Sequence, residues 1–230
     1  MRARLVFVLV LAAAPGAPQT RSVAAKGHRM QITVERLEKS GWTRVDPGLV
    51  FEQNDRVRFR YSANFAGYLY VINRSTSGKT ERLFPGVETG QDNHIAAGRD
   101  YTIPATDTVF RIAGPAGHEL IYWLASPVEL GKAAGEIGVA PNLPPESKPQ
   151  ASDFMPRCDD VIFRARGECV DSSAGPQPVT KDEQLPKGLT GASQTSARDL
   201  MFLRQEKKTV VASPVPLTSP VIYEFRLAHK

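Results

Sequence analysis

Polar and apolar residues alternate strictly along Arg56-Val57-Arg58-Phe59-Arg60-Tyr61, so an extended strand here carries three arginines on one face and three apolar side chains on the other. Such one-sided patterning predicts an antiparallel sheet with one face in a core and the other in water. The next segment, Tyr68-Leu69-Tyr70-Val71-Ile72, is apolar on both faces and predicts a central strand. Asn73 to Lys79 is rich in serine and contains Gly78, which predicts a hairpin loop leading into a strand near Thr80 to Phe84. Pro85-Gly86 stops that strand, and Gly86 to Asn93 reads as a polar loop. Further short strands are expected at Asp100 to Ile103, Val109 to Ile112 and Glu119 to Ala125, the last two joined by the turn Gly114-Pro115-Ala116-Gly117.

Helical periodicity is nearly absent, and many short strands at close spacing predict an all-β fold, an antiparallel β-sandwich of general immunoglobulin-like architecture over residues 26–130. Pro141, Pro144, Pro145, Pro149 and Pro156 fix backbone angles and remove donors, so 131–156 reads as a proline-rich linker. Residues 157–198 read as a cysteine-containing island followed by a long irregular loop. In the final segment, 199–230, the side chains of Val221, Tyr223, Phe225 and Leu227 share one face. A strand of this kind is unstable alone, so it is expected to return to the main sheet.

The chain has 230 residues, 41% hydrophobic and 23% charged, enough for one full core with a small appendage. Met-Arg-Ala-Arg followed by the apolar run Leu5 to Ala14 reads as a secretory signal peptide, with cleavage expected after Ala25. Ten apolar residues are too few to span a bilayer, so a soluble secreted or periplasmic protein is expected. The leader also carries charge: removing Arg2, Arg4 and Arg21 from 29 basic residues leaves 26 against 24 acidic, a net charge of +2 instead of +5. That balance and export together disfavour nucleic acid as a partner, leaving an envelope protein or an anionic envelope polymer.

Candidate chemistry is sparse. Cys158 and Cys169 lie in an exported chain, where a disulfide is expected to hold a segment too small for its own core. Arg56, Arg58 and Arg60 span about 13 Å of one strand face and could grip an anionic ligand; the plainer reading is a solvated or aggregation-resistant face. Asn73 to Thr80 superficially resembles a phosphate-binding loop, but Asn73 stands where its first glycine belongs and Pro85 leaves too little chain for the helix it needs. His118-Glu119 lacks the second metal ligand of a zinc motif, since Tyr122 holds that position. Glu88, Asp92 and Asn93, or Asp159, Asp160 and Asp171, could offer oxygens to calcium, but neither set has the spacing of a calcium loop. Trp123, Tyr122, Tyr68 and Tyr70 read as core and cross-strand packing in preference to a sugar platform. No catalytic residue, metal or cofactor is therefore expected. The competing reading is a hydrolase with a dispersed site using His94 or His118 beside a carboxylate; a purely structural envelope protein is a third.

Several strings stand in order along the chain: Asp55 to Arg60, Gly67-Tyr68-Leu69-Tyr70-Val71-Ile72, Leu83-Phe84-Pro85, Asn93, Ala97-Gly98, Ile103-Pro104 and Gly114-Pro115-Ala116-Gly117. Together, over about Met30 to Pro127, they resemble the bacterial family of domains of unknown function DUF4384. The resemblance implies a β-rich accessory module, of a kind sometimes attached to caspase-like peptidase or kinase domains, and so binding or positioning in place of chemistry. It supplies no catalytic residues, and no segment of this chain reads as such a partner domain.

Overall fold

The computed structural model describes residues 27–130, 155–179, 200–205, 207–213 and 220–230; the expected leader and most of the expected proline-rich linker lie outside them. The described chain is organised as two antiparallel sheets packed face to face. The first contains β1 (Arg29–Glu38), β2 (Gly41–Arg44), β3 (Arg56–Ala63), β7 (Asp100–Ile103), β8 (Phe110–Arg111), β11 (Met201–Gln205) and β12 (Lys208–Ala212). The second contains β4 (Gly67–Arg74), β5 (Thr80–Phe84), β6 (His94–Ile95), β9 (Gly117–Ser126), β10 (Gly175–Gln177) and β13 (Val221–His229). The sandwich class expected from the alternation is the class observed, and among the described residues no helix is long and apolar enough to cross a membrane.

β3 behaves as its pattern dictates: Val57, Phe59, Tyr61 and Ala63 are buried, and the residues between them are not. It lies between β1 on one side and β7 with β8 on the other. β4 and β9 form the centre of the second sheet, and all ten residues of β9 are buried. Their odd-numbered side chains enter the main core, while Tyr70, Ile72, Leu120, Tyr122 and Leu124 form a second apolar cluster on the outer face, against Val179 and Ile222. That double burial is the physical reason for the unbroken apolar run.

β13 returns to the sheet as expected and pairs with β9 along its whole length, from Val221 opposite Ala125 to His229 opposite Gly117. Phe225 and Leu227 thereby reach the core, where Trp123 lies edge-on to Phe59, with ring centroids 5.4 Å apart, and stacks on Tyr223. Burial pushes the phenol pKa values of Tyr61 and Tyr223 up, so both remain neutral donors.

The disulfide between Cys158 and Cys169 is present, with Cα atoms 4.8 Å apart. It encloses a helix, α1 (Asp160–Arg166), which the sequence reading did not anticipate because seven residues barely complete two turns of periodicity. Asp159 caps this helix by accepting from the Val161 and Ile162 amides, and Gly167 ends it with φ of 70°. The island is laced to the loop before β3: the Val50 amide donates to the Cys169 carbonyl and the Asp171 amide to that of Gly48. β10 falls inside the stretch expected to be an irregular loop; its hydrogen-bonding partner is β13, a pairing that local sequence does not encode.

Candidate functional site

β5 is the last strand of the second sheet, and β8 is a two-residue edge of the first. Between these edges the sandwich opens into a cleft of about 380 Å³. Its walls are core side chains: Val57 and Phe59 from β3, Phe110 and Ile112 from the β8 region, Leu83 from β5, Ile121 from β9 and Leu227 from β13. Val109, partly exposed, stands at the mouth. The turn starting at Gly114 helps to shape this end, with the Gly114 carbonyl accepting from Gln53 Nε2 at 2.6 Å.

The polar groups of the cleft come from the β4–β5 hairpin, β8 and β9. The segment that superficially matched a phosphate loop is indeed the hairpin tip, closed by the Ser75 amide donating to Lys79 O and the Gly78 amide to Ser75 O. The buried Glu119 carboxylate accepts from Asn73 Nδ2 at 2.7 Å and from the Thr76 amide at 3.3 Å, and lies 3.3 Å from His229 Nε2. It thus ties the hairpin, β9 and the last residue of β13 together. At the rim, Lys79 pairs with Glu81 at 3.1 Å. Both carboxylates of the cleft are therefore already engaged.

The three arginines singled out in the sequence do not act as a set. Arg58 donates from Nε to Glu35 at 2.7 Å and lies over the Trp42 ring at 4.2 Å. Arg60 reaches Glu35 and Asp100, each at 3.8 Å, and Arg44 also approaches Glu35. Glu35, buried on the outer face, neutralises this part of the strand. Arg56 stands apart: it is exposed, has no ion-pair partner among the described residues, and lies directly opposite Arg111 in the β3–β8 ladder. Arg111 is likewise exposed and unpaired among the described residues, and it lines the cleft. Sequence reading missed Arg111 because its neighbour is set by strand register.

The remaining candidates have other roles. His118 Nε2 lies 3.4 Å from Asp171, with both side chains almost wholly buried beneath the disulfide island. Burial alone would raise the Asp171 pKa, but the Ser173 hydroxyl, the Arg157 and Ser173 amides and His118 outweigh it and hold the carboxyl below its usual range. His94 is exposed and packs edge-on against Tyr68, with its amide bonded to Asp92. Of the aromatic residues, Tyr122 and Trp123 are fully buried and Tyr70 nearly so. The two oxygen sets remain apart from any shared centre: Asp159 caps α1, Asp171 binds backbone, and Asn93 Nδ2 donates to Leu69 O.

Residues 50–129 match the model of the family described as "Domain of unknown function (DUF4384)". Neither the curated proteins nor the solved structures contain a match to the chain. The matched segment starts just before β3 and runs past the end of β9, so it includes both edges of the cleft but not β1, β2 or β13. Over that segment, less than half of the chain, the protein is similar to the DUF4384 family.

Proposed function

We propose that this protein is an exported, non-catalytic binding or accessory module of the bacterial cell envelope, and that the cleft between β5 and β8 holds its ligand. The observation that carries this reading is the cleft itself: its volume of about 380 Å³ falls in the range of small-molecule sites, and an apolar wall of core side chains faces a polar one from the β4–β5 hairpin, Arg111 and Glu119. The two buried histidine–carboxylate contacts favour binding over hydrolysis, because each is a tie between distant chain segments: His118 to Asp171, and Glu119 to His229. Export rests on the leader read from residues 1–25.

The test uses a neutral apolar dye, N-phenylnaphthylamine, whose fluorescence rises on leaving water. Wild-type protein should bind it saturably at one site, and Leu83→Trp, which places an indole in the cleft from a half-buried edge position, should abolish binding while leaving the unfolding transition in place. Absence of saturable binding by the wild type, or equal binding by the folded variant, would overturn the reading. Cell fractionation checks localisation: the protein should be released with the periplasm or medium and lack its first residues by mass spectrometry.

A further inference from the structure

We infer that the outer face of the first sheet, at its β2–β8 end, is a docking surface for an acidic polysaccharide chain, gripped by Arg44, Arg56 and Arg111 around Trp42. This surface is on the side of the sheet away from the core, and the inference does not rest on the cleft reading.

Strand register lays the face out as a grid. Val57, Phe59 and Tyr61 turn into the core, so Arg56, Arg58 and Arg60 turn outward. Residues opposed in a ladder share a face. One outward row therefore runs Trp42, Leu37, Arg56, Arg111 across β2, β1, β3 and β8, and the next runs Arg44, Glu35, Arg58 across β2, β1 and β3. With strands about 4.8 Å apart and alternate residues about 7 Å apart, the two rows cover roughly 14 Å by 7 Å at the backbone.

These rows hold four arginines and one carboxylate, Glu35. Glu35 is buried and already accepts from Arg58 Nε at 2.7 Å, with Arg44 and Arg60 each 3.8 Å away. Arg60, in the row beyond, also has Asp100 at 3.8 Å, which closes the patch on that side. Arg56 and Arg111 have no partner among the described residues, and Arg44 has nothing beyond its long contact with Glu35. Directly opposed residues in an antiparallel pair have Cβ atoms about 5 Å apart, and like charges placed there repel. A line of anions laid over the rows would relieve that repulsion, and planar guanidinium forks suit the paired oxygens of carboxylates. One small anion reaches Arg56 and Arg111 alone; a chain carrying a carboxylate on successive units also reaches Arg44.

The aromatic ring in the same row selects the kind of polymer. Trp42 is half-buried, with Arg58 over its ring at 4.2 Å, so part of an apolar ring lies at the surface among the arginines. Such a ring seats the C–H groups of a sugar while the guanidinium groups take its carboxylates. A membrane surface is less well matched, since none of the large exposed hydrophobic side chains of the described residues lies in these rows to enter lipid.

The experiment follows tryptophan fluorescence of the full chain as polygalacturonate is added at low salt. Trp42 and Trp123 are the two tryptophans, and Trp123 is wholly buried, so a change reports on Trp42 and should be absent in Trp42→Phe. Neutral dextran should give no response, and added salt should weaken the response to polygalacturonate. Arg44→Gln/Arg56→Gln/Arg111→Gln, altered at exposed side chains, should bind at least about tenfold more weakly. Arg157→Gln/Arg164→Gln/Arg166→Gln, an equal change of charge at exposed positions of the disulfide island, should bind as wild type does. No response to polygalacturonate overturns the inference, even where vesicles of phosphatidylglycerol bind. An equal response to dextran overturns it too, as does equal weakening in the two triple variants, which would leave net charge as the cause.

Discussion

Asp171 is the point at which the disulfide island is fastened to the sandwich, and Asp171→Asn tests that role. Its buried carboxylate accepts from the Arg157 amide at 2.8 Å, from the Ser173 amide at 2.8 Å and from the Ser173 hydroxyl at 2.6 Å, with His118 Nε2 at 3.4 Å. Asparagine keeps the shape and one acceptor oxygen, which can still serve Ser173. The contacts on Oδ2, from Arg157 and His118, would meet an amide that donates where they need an acceptor. A hydrogen bond to a charged group contributes about 1.5–3 kcal/mol net, so losing the Arg157 bond together with the His118 contact should cost about 3 kcal/mol. For a chain of this size that lowers the Tm by about 6–12 °C. The carboxyl pKa is depressed in the folded protein, so its contribution is fully present above the unfolded carboxyl value, about 4, and is lost as pH falls through the lower folded value. Urea unfolding, followed by the fluorescence of buried Trp123, should therefore give a gap between wild type and variant that is full at neutral pH and narrows under acid. A variant as stable as wild type at neutral pH, or a gap that persists unchanged in acid, would refute the reasoning.

Two further outcomes follow from local geometry. Replacing Cys158 and Cys169 by serine should lower stability by about 3 kcal/mol, the chain-entropy value for a loop closed across 11 positions, and nonreducing peptide mapping of the wild type should recover the linked pair; recovery of two free thiols would contradict the structure. Gly67→Ala should cost about 1–3 kcal/mol in chemical denaturation, because a Cβ there would lie 2.6 Å from the Ser126 carbonyl oxygen and push β4 from β9; a neutral effect would mean that the two strands do not approach so closely.

The strands that could be read in advance are those whose reason for forming is local. β3 needs only alternation, and its buried and exposed positions follow residue by residue. The Tyr68 to Ile72 run could be read as a central strand because a segment covered on both faces has no polar face to show. The hairpin that superficially matched a phosphate loop was recognisable from a missing glycine and a proline a few residues on. By contrast, α1 is held by a cap and a disulfide more than by an apolar face, none of its residues being buried, and so it left no periodic trace. The candidate site was half legible: the arginine face was visible, but which arginines are neutralised was not.

What the sequence alone determined is the class of the fold, the hairpins, the disulfide partners and the return of the last strand, because each depends on spacing within a few residues or on burying one apolar face. What only the tertiary structure decided is the site. Glu119 draws its partners from positions 73, 76 and 229, Glu35 draws arginines from β2 and β3, and Arg56 meets Arg111 through strand register. Charges act through distance in space, and the distances that separate a neutralised arginine from an unpaired one are created only when the strands align.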